Sequence, residues 1–348
     1  MSEEKKLEYA DNPDFNQYVD DEIGEIDIYG ATFLPSYVLY ELRQETYRIS
    51  LSEFLEQKLE DLKQLVLNNF PTLIAYNFRL SERGPGANDP VKKFLHLKDA
   101  WEGAINTLNA LAFGEVRAKR IDLKTVNVYH SGNPNLYFNS KVIRTDELKQ
   151  RLENIRAIIN YSKATVLQLK SEQFISLSAL DCLYELQDNR NQFSHTQTPT
   201  KEQAEEELKV VMPLFAKTLE ELRFLANIKI LRFDSFTTKC RFEKFNNHSL
   251  NKDYDENVIV DPDKLGYVMI SPGEVIFAQW GDEIFSLSPF LHFLNDNTGH
   301  ETYLCFFKGK REGKYWYEPL KIRDELTFDL IQDRINTEEQ ELASLLVP

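Results

Sequence analysis

From Leu51 to Val66 the apolar residues Leu51, Phe54, Leu55, Leu59, Leu62, Leu65 and Val66 recur at three- and four-residue steps. That period predicts a helix with one apolar stripe, and Ser50 or Ser52 is suited to cap its start. The segment before it, "YVDDEIGEIDIYG", reads as a loop or edge strand stopped by glycine. The breaker-rich "RLSERGPGANDP" marks a boundary or flexible connection. Beyond it the helical period returns in "DPVKKFLHLKDAWEGAINTLNALAFGEVRAKR", where Asp89 is placed as N-cap and Pro90 at the first helical position. After a loop-like insertion at 121–145, three more helices follow: "DELKQRLENIRAIINYSKATVLQL", "SLSALDCLYELQDNRNQFSH" and "TPTKEQAEEELKVVMPLFAKTLEELRFLAN". The last opens with Thr200 and Gln203 at capping-box spacing, and Pro213 inside it predicts a kink or break. Four amphipathic helices with mostly short links predict an antiparallel bundle.

Past Ile228 the period moves from 3.6 towards 2. "KILRFDSFTTKCRFEKF", "YVMISP", "EVIFAQWGDEIFSLSPFLHFL", "ETYLCFFKG" and "KYWYEPL" are short, rich in β-branched and aromatic residues, and bounded by Pro, Gly, Asn and Asp. "FFKGKREGKYWY" predicts a hairpin with a glycine-containing turn, and "NTEEQELASLL" a short closing helix. The expected fold class is therefore α+β. Residues 1–83 form an acidic, partly helical N-terminal region, 84–227 the central all-α bundle, and 228–348 a β-rich C-terminal domain.

A chain of 348 residues is long enough for two or three domains. No apolar run reaches the ~18–20 residues of a membrane helix, and "MSEEKKLEYADNPDF" has no apolar core of a secretory signal. Cys182, Cys240 and Cys305 are odd in number, far apart and without CxxC spacing, which argues against a disulfide framework or a cysteine zinc site. The expectation is a cytoplasmic, reduced protein that meets no membrane. The formal net charge of −15 argues against a protein that coats nucleic acid through a broadly basic surface. Any nucleic acid must meet a local basic spot, a partner protein, or a groove shared by two subunits.

The candidate chemistry lies in "QDNRNQFSHTQTP", which carries Arg190, Asn191 and His195 ahead of Pro199. Sixteen arginines and six histidines make an Arg-x4-His spacing expected by chance about 0.3 times, so context has to carry the reading. On a straight helix the two residues stand about 140° apart. Pro199 disfavours helical geometry at Thr198, so the third bundle helix should be ending near His195, where both side chains can reach one point. These residue types suit RNA cleavage by internal transesterification. The imidazole exchanges protons near neutral pH, the guanidinium fork matches a phosphate, and Asn191 orients the ring or donates to an oxygen. One motif supplies one histidine where the reaction uses an acid and a base, and a symmetric dimer supplies both. The alternative reading is a polar helix C-terminus, where cations are favoured anyway.

The helices from about Asp89 to Asn227, carrying "RNQFSH", resemble a HEPN domain, whose hallmark is R-x4-6-H, often R-N-x3-H, near the end of a bundle helix. "FPTLIAYNFRL" and "FLHLKDAWEGAINTLNAL" are also similar to segments that precede that motif in bacterial HEPN proteins of phage defence. The resemblance covers less than half the chain. It implies a helical bundle, a homodimer along the motif helix, and a metal-independent endoribonuclease with no cofactor, acting as a toxin or abortive-infection effector. It assigns catalytic roles to Arg190 and His195 with Asn191 assisting, and a supporting carboxylate at Glu102 or else Asp99. Such an RNase implies control by a regulatory partner, antitoxin or phage-derived trigger. The rival is a non-catalytic HEPN-like module that binds RNA or serves as a dimerisation adaptor.

The remaining candidates have ordinary alternatives. Glu102 stands four residues after Lys98, the spacing of a helix-surface ion pair. Lys201, Lys310, Arg311 and Lys314 are candidate RNA-binding cations, and Tyr315, Trp316 and Tyr317 beside them either stack bases or form half-buried core. His292, His300 and Asp296 lack metal-ligand spacing, and His96 and His130 stand alone.

Overall fold

The computed structural model describes residues 7–129, 136–191, 199–236, 240–250, 253–255, 276–295, 302–311, 314–320, 326–327 and 344. The side chains at 28, 190, 191, 236, 240, 254, 295, 302, 310, 311, 314, 326 and 327 are outside that description. The fold is α+β. Two compact units are found, residues 1–64 and 65–348, whereas the segments drawn from the sequence change at 83 and 227.

In the first unit, Pro13 opens α1 (Pro13–Ile23) and Gly24, at φ +77°, closes it. The first half of "YVDDEIGEIDIYG" is thus helix, with Phe15 and Val19 on its buried face. Strands β1 (Ile26–Ile28) and β2 (Ala31–Phe33) follow as a hairpin with Ile28 opposite Ala31. Its two turn residues, Tyr29 and Gly30, both have positive φ (+54° and +80°), as a type I′ turn demands. Helix α2 (Pro35–Leu42) leads to α3 (Gln44–Asn69). The start of α2 is held by Asp20 of α1, which accepts from the Ser36 amide and hydroxyl, both at 2.8 Å. Phe15, Val19, Tyr47 and Leu51 form the core, and the buried Tyr47 hydroxyl donates to Asn16 Oδ1 at 2.6 Å. Because α3 starts at Gln44, neither Ser50 nor Ser52 caps it. Of the expected stripe Leu51, Leu62 and Val66 are buried, while Leu55 and Leu59 face solvent.

The second unit is organised around one helix. After α4 (Thr72–Glu82), Asp89 caps α5 (Pro90–Ala118), accepting from the amides of Val91 (3.1 Å) and Lys92 (3.2 Å). Every residue of α5 from Ala100 to Val116 is buried, the signature of a helix surrounded on all sides. Against it pack α4, α7 (Leu148–Thr165), α8 (Lys170–Phe174), α9 (Leu177–Asn191) and α10 (Lys201–Glu221). Thr200 and Gln203 make the expected capping box on α10. That helix runs through Pro213 without a break, although a proline nitrogen has no hydrogen to donate to the helix. The insertion at 121–145 contributes Leu123, Val126, Val128, Phe138 and Val142 to the core and includes the short α6 (Ser140–Ile143).

Among the described residues, the C-terminal part forms two antiparallel sheets. One has five strands in the order β5-β4-β3-β6-β7, from β3 (Ile228–Phe236), β4 (Cys240–Lys244), β5 (Asp253–Asp255), β6 (Ile276–Trp280) and β7 (Glu283–Ser286). The other has the order β11-β10-β9-β8, from β8 (Leu291–Asn295), β9 (Thr302–Arg311), β10 (Lys314–Pro319) and β11 (Leu326–Thr327). The expected "YVMISP" strand and the closing helix at "NTEEQELASLL" lie outside the described residues, Ser344 excepted.

Bundle and sheets share one core. Phe113 of α5 stacks on Phe290 at 5.1 Å and meets Phe138 edge-on at 5.8 Å. At Gly114 an added Cβ would come within 2.8 Å of both Ser286 O and the Phe285 ring. Gly103 allows a similar approach to α4, where a Cβ would sit 2.5 Å from Leu73 O. Overpacking of that kind costs ~1–3 kcal/mol, and alanine returns ~1 kcal/mol of helix propensity. Gly103→Ala is therefore expected to destabilise the chain by up to about 2 kcal/mol in denaturant unfolding. A stabilising change would mean that α4 and α5 can part freely. Among the described residues no helix is long and apolar enough to cross a membrane.

Candidate functional site

Polar side chains are buried on α5, α7 and α9, helices that pack on one another. Glu102, Asn106 and Asn109 follow one another at steps of four and three along α5, so they share a face. Gln150, Arg151 and Asn154 come from α7, and Gln187 from α9. Buried polar groups are usually hydrogen-bonded, and Asn106, Gln150, Arg151 and Asn154 carry such bonds, whereas Asn109 Oδ1 and Gln187 Nε2 have no hydrogen-bond partner among the described residues. Gln150 donates to Asn154 Oδ1 at 3.2 Å, and Asn154 donates to Val142 O at 3.1 Å. Arg151 carries the most demanding burial. Its guanidinium donates to Thr145 O (3.1 and 3.0 Å), to Phe307 O of β9 (2.6 Å) and to Asn106 Oδ1. Burial pulls its pKa down to about 10, against the opposing fields of Asp146 and Glu102. It therefore remains a cation at neutral pH, bonded to neutral oxygens.

Glu102 is 8% exposed and lies 3.9 Å from Lys98 Nζ, which also sits 3.3 Å from Asp99 Oδ1. The expected i,i+4 ion pair is present, and so is a carboxylate facing the bundle interior. Helix α9 is tied to α7 by Arg156 donating to Asp181 at 2.7 Å, and by Lys149, which pairs with Asp188 and lies 4.5 Å from the centre of the Tyr184 ring. Arg190 and Asn191 close the described part of α9, three and four positions after the buried Gln187. Their side chains, and His195 altogether, lie outside the described residues.

The other candidates divide. Lys201 is exposed in the first turn of α10, 3.8 Å from Glu205. Lys310, Arg311 and Lys314 sit at the closed end of the β9–β10 hairpin, where Arg311 pairs with Lys314 and Lys310 with Tyr315; their side chains are not described. The base-stacking reading fails for Tyr315 and Tyr317, which are 1% and 0% exposed. Strand alternation turns both inward onto Phe307, and the Tyr317 hydroxyl donates to Pro289 O at 2.8 Å. His292 is buried with Nδ1 3.1 Å from Phe293 O; His300, Asp296 and His130 lie outside the described residues. Among the described residues no three His, Cys, Asp or Glu side chains converge as a metal site.

Sequence reasoning missed Arg151, Asn106, Asn154 and Gln187. Arg151, Asn154 and Gln187 sit among charged neighbours and read as solvated surface until the partner helices are known, while Asn106 sits in the uncharged run "GAINTLNAL", which gives no sign of a partner. It also missed Glu115, wholly buried on α5. Glu115 accepts from the amides of Lys170 (2.7 Å) and Ser171 (2.9 Å), the Ser171 hydroxyl (2.7 Å) and Lys119 Nζ (2.9 Å). The sequence signal, Glu115 four residues before Lys119, looks like an ordinary surface pair. No protein-family model, curated protein or solved structure matches the chain.

Proposed function

We propose that this chain is a HEPN-type endoribonuclease that cleaves RNA without a metal ion and acts as a toxin or abortive-infection effector in prokaryotic anti-phage defence. The observation that carries the reading is the sequence motif Arg190-Asn191-x3-His195, whose Arg190 and Asn191 close the described part of α9, a helix packed on α5 with its buried Glu102. In the proposed reaction a base takes the proton of a ribose 2′-OH, and the oxygen attacks the adjacent phosphorus. The P–O5′ bond breaks as an acid protonates O5′, leaving a 2′,3′-cyclic phosphate and a 5′-hydroxyl. Arg190 steadies the phosphoryl oxygens, and a homodimer brings two copies of His195 to serve as acid and base. Lys201 and the cations at the β9–β10 turn would guide the RNA backbone, giving local positive charge to an acidic chain.

The test is cleavage of a labelled single-stranded RNA by the full chain in EDTA, with the product ends identified. Cyclic-phosphate and 5′-hydroxyl ends are expected. Products ending in 3′-hydroxyl and 5′-phosphate, or cleavage that needs added metal, would refute the reading. Binding without cleavage would favour the non-catalytic module.

A further inference from the structure

The net charge of the chain is unevenly placed. Residues 1–64 hold sixteen Asp and Glu against six Lys and Arg, a formal −10 of the total −15. Within this unit one continuous stretch, from the end of α1 through the β1–β2 hairpin to the end of α2, also exposes large apolar side chains. Ile23 is 63% exposed, Phe33 39%, Leu34 48%, Tyr37 48% and Leu42 77%, and Tyr29 at the turn is fully exposed. Between Asp21 and Glu45 six carboxylates accompany them, with Arg43 the one cation. Glu41 next to Tyr37 raises that phenol's pKa, as a negative neighbour should.

The hairpin itself is unfinished. Among the described residues its sheet has two strands, and all three residues of β2 are exposed. An isolated two-stranded ribbon is marginal in water, and its outer edges offer unpaired amide and carbonyl groups to a further strand. Scattered exposed apolar residues need no explanation, but an aromatic-rich group beside an open sheet edge does.

We propose that this stretch docks a basic protein partner, bound as an extended segment that adds to the hairpin. Lysines or arginines of the partner meet the carboxylates, and alternate apolar side chains pack on Phe33, Leu34 and Tyr37. Charge decides among occupants. A second copy would set −10 against −10, and nucleic acid or an anionic membrane would bring more negative charge. A cationic segment is attracted, and increasingly so at low salt. The inference does not use the Arg190–His195 motif and stands apart from the ribonuclease reading.

The probe is a fluorescent nine-residue peptide alternating Lys and Val, with a Glu–Val counterpart, titrated into the full chain. The Lys–Val peptide is expected to bind, more weakly as salt rises, and to slow amide exchange across residues 26–33; the Glu–Val peptide should not bind. Phe33→Ser with Tyr37→Ser, both exposed and therefore tolerable to the fold, should weaken binding about tenfold, as loss of aromatic anchors does. Glu22→Lys with Glu25→Lys should weaken it too. Equal binding of the two peptides would overturn the proposal, as would unchanged affinity in the serine variant or protection away from the hairpin. So would self-association of the free chain that the serine variant abolishes, because a second copy would then be the occupant.

Discussion

His195→Ala is expected to lower RNA cleavage by about 10²–10⁴-fold, the range that positioned acid–base groups contribute. Under the proposed mechanism each active centre draws on both copies of the residue, one to take the 2′-OH proton and one to supply O5′. Alanine in both subunits removes both roles at once, and what survives is binding and electrostatic stabilisation by Arg190. Mixed dimers of wild type and variant give a sharper readout, because one imidazole should not restore half the rate. Rates are to be measured at saturating RNA in EDTA, with thermal unfolding as the control for structure. Activity within threefold of wild type would remove His195 from the mechanism. Arg190→Lys keeps the charge but loses the guanidinium fork, so it should retain binding better than turnover.

Glu115→Ala should cost about 3–5 kcal/mol of stability, the usual loss when one partner of a buried charged cluster is deleted. The carboxylate is wholly buried and accepts four hydrogen bonds, two of them from the first amides of α8. Without it those amides and the Ser171 hydroxyl lose their acceptor inside the fold. Lys119 is also affected. Burial alone would lower its pKa, and Glu115 with Glu283 more than offsets that and raises it. A raised lysine pKa stabilises the fold below its unfolded value, and the contribution fades as pH climbs through the folded one. Wild type should therefore lose stability at strongly alkaline pH, and Glu115→Ala should show less of that loss. Denaturant unfolding at neutral and alkaline pH reads both effects. A change below about 1 kcal/mol at neutral pH would show that α8 is anchored elsewhere.

What was legible in the sequence is local. Asp89 before Pro90, and Thr200 three residues before Gln203, announce helix starts that nearby backbone amides enforce. The β9–β10 hairpin follows from alternation and its turn residues, whereas "KILRFDSFTTKCRFEKF", read as a single strand-like segment, divides into the paired strands β3 and β4. The misreadings come from tertiary context. "RLSERGPGANDP" contains a tight turn, with Gly86 so close to Ser81 and Lys93 that a Cβ would meet them at 2.8–2.9 Å, and the boundary between units falls within α3 instead. Acidic "YVDDEI" hid a helix whose buried face is only Phe15, Asn16 and Val19. At the candidate site the Glu102–Lys98 pair was visible because it is four residues long. Arg151 and Asn106 were not, because 45 residues separate them and only the packing of α5 on α7 joins them.

The bond from Arg151 to Phe307 O reaches from the bundle into the sheet. The C-terminal strands are therefore not a cassette that can be exchanged while the helices stay as they are. Any substitute would have to offer a carbonyl where Phe307 does and leave the hollow that Gly114 fits. A bundle cut loose at Asn227 would inherit a guanidinium with one acceptor missing and a Phe113 ring without its Phe290 partner. Whatever acts on the sheet therefore acts on the footing of α5, the helix that holds Glu102.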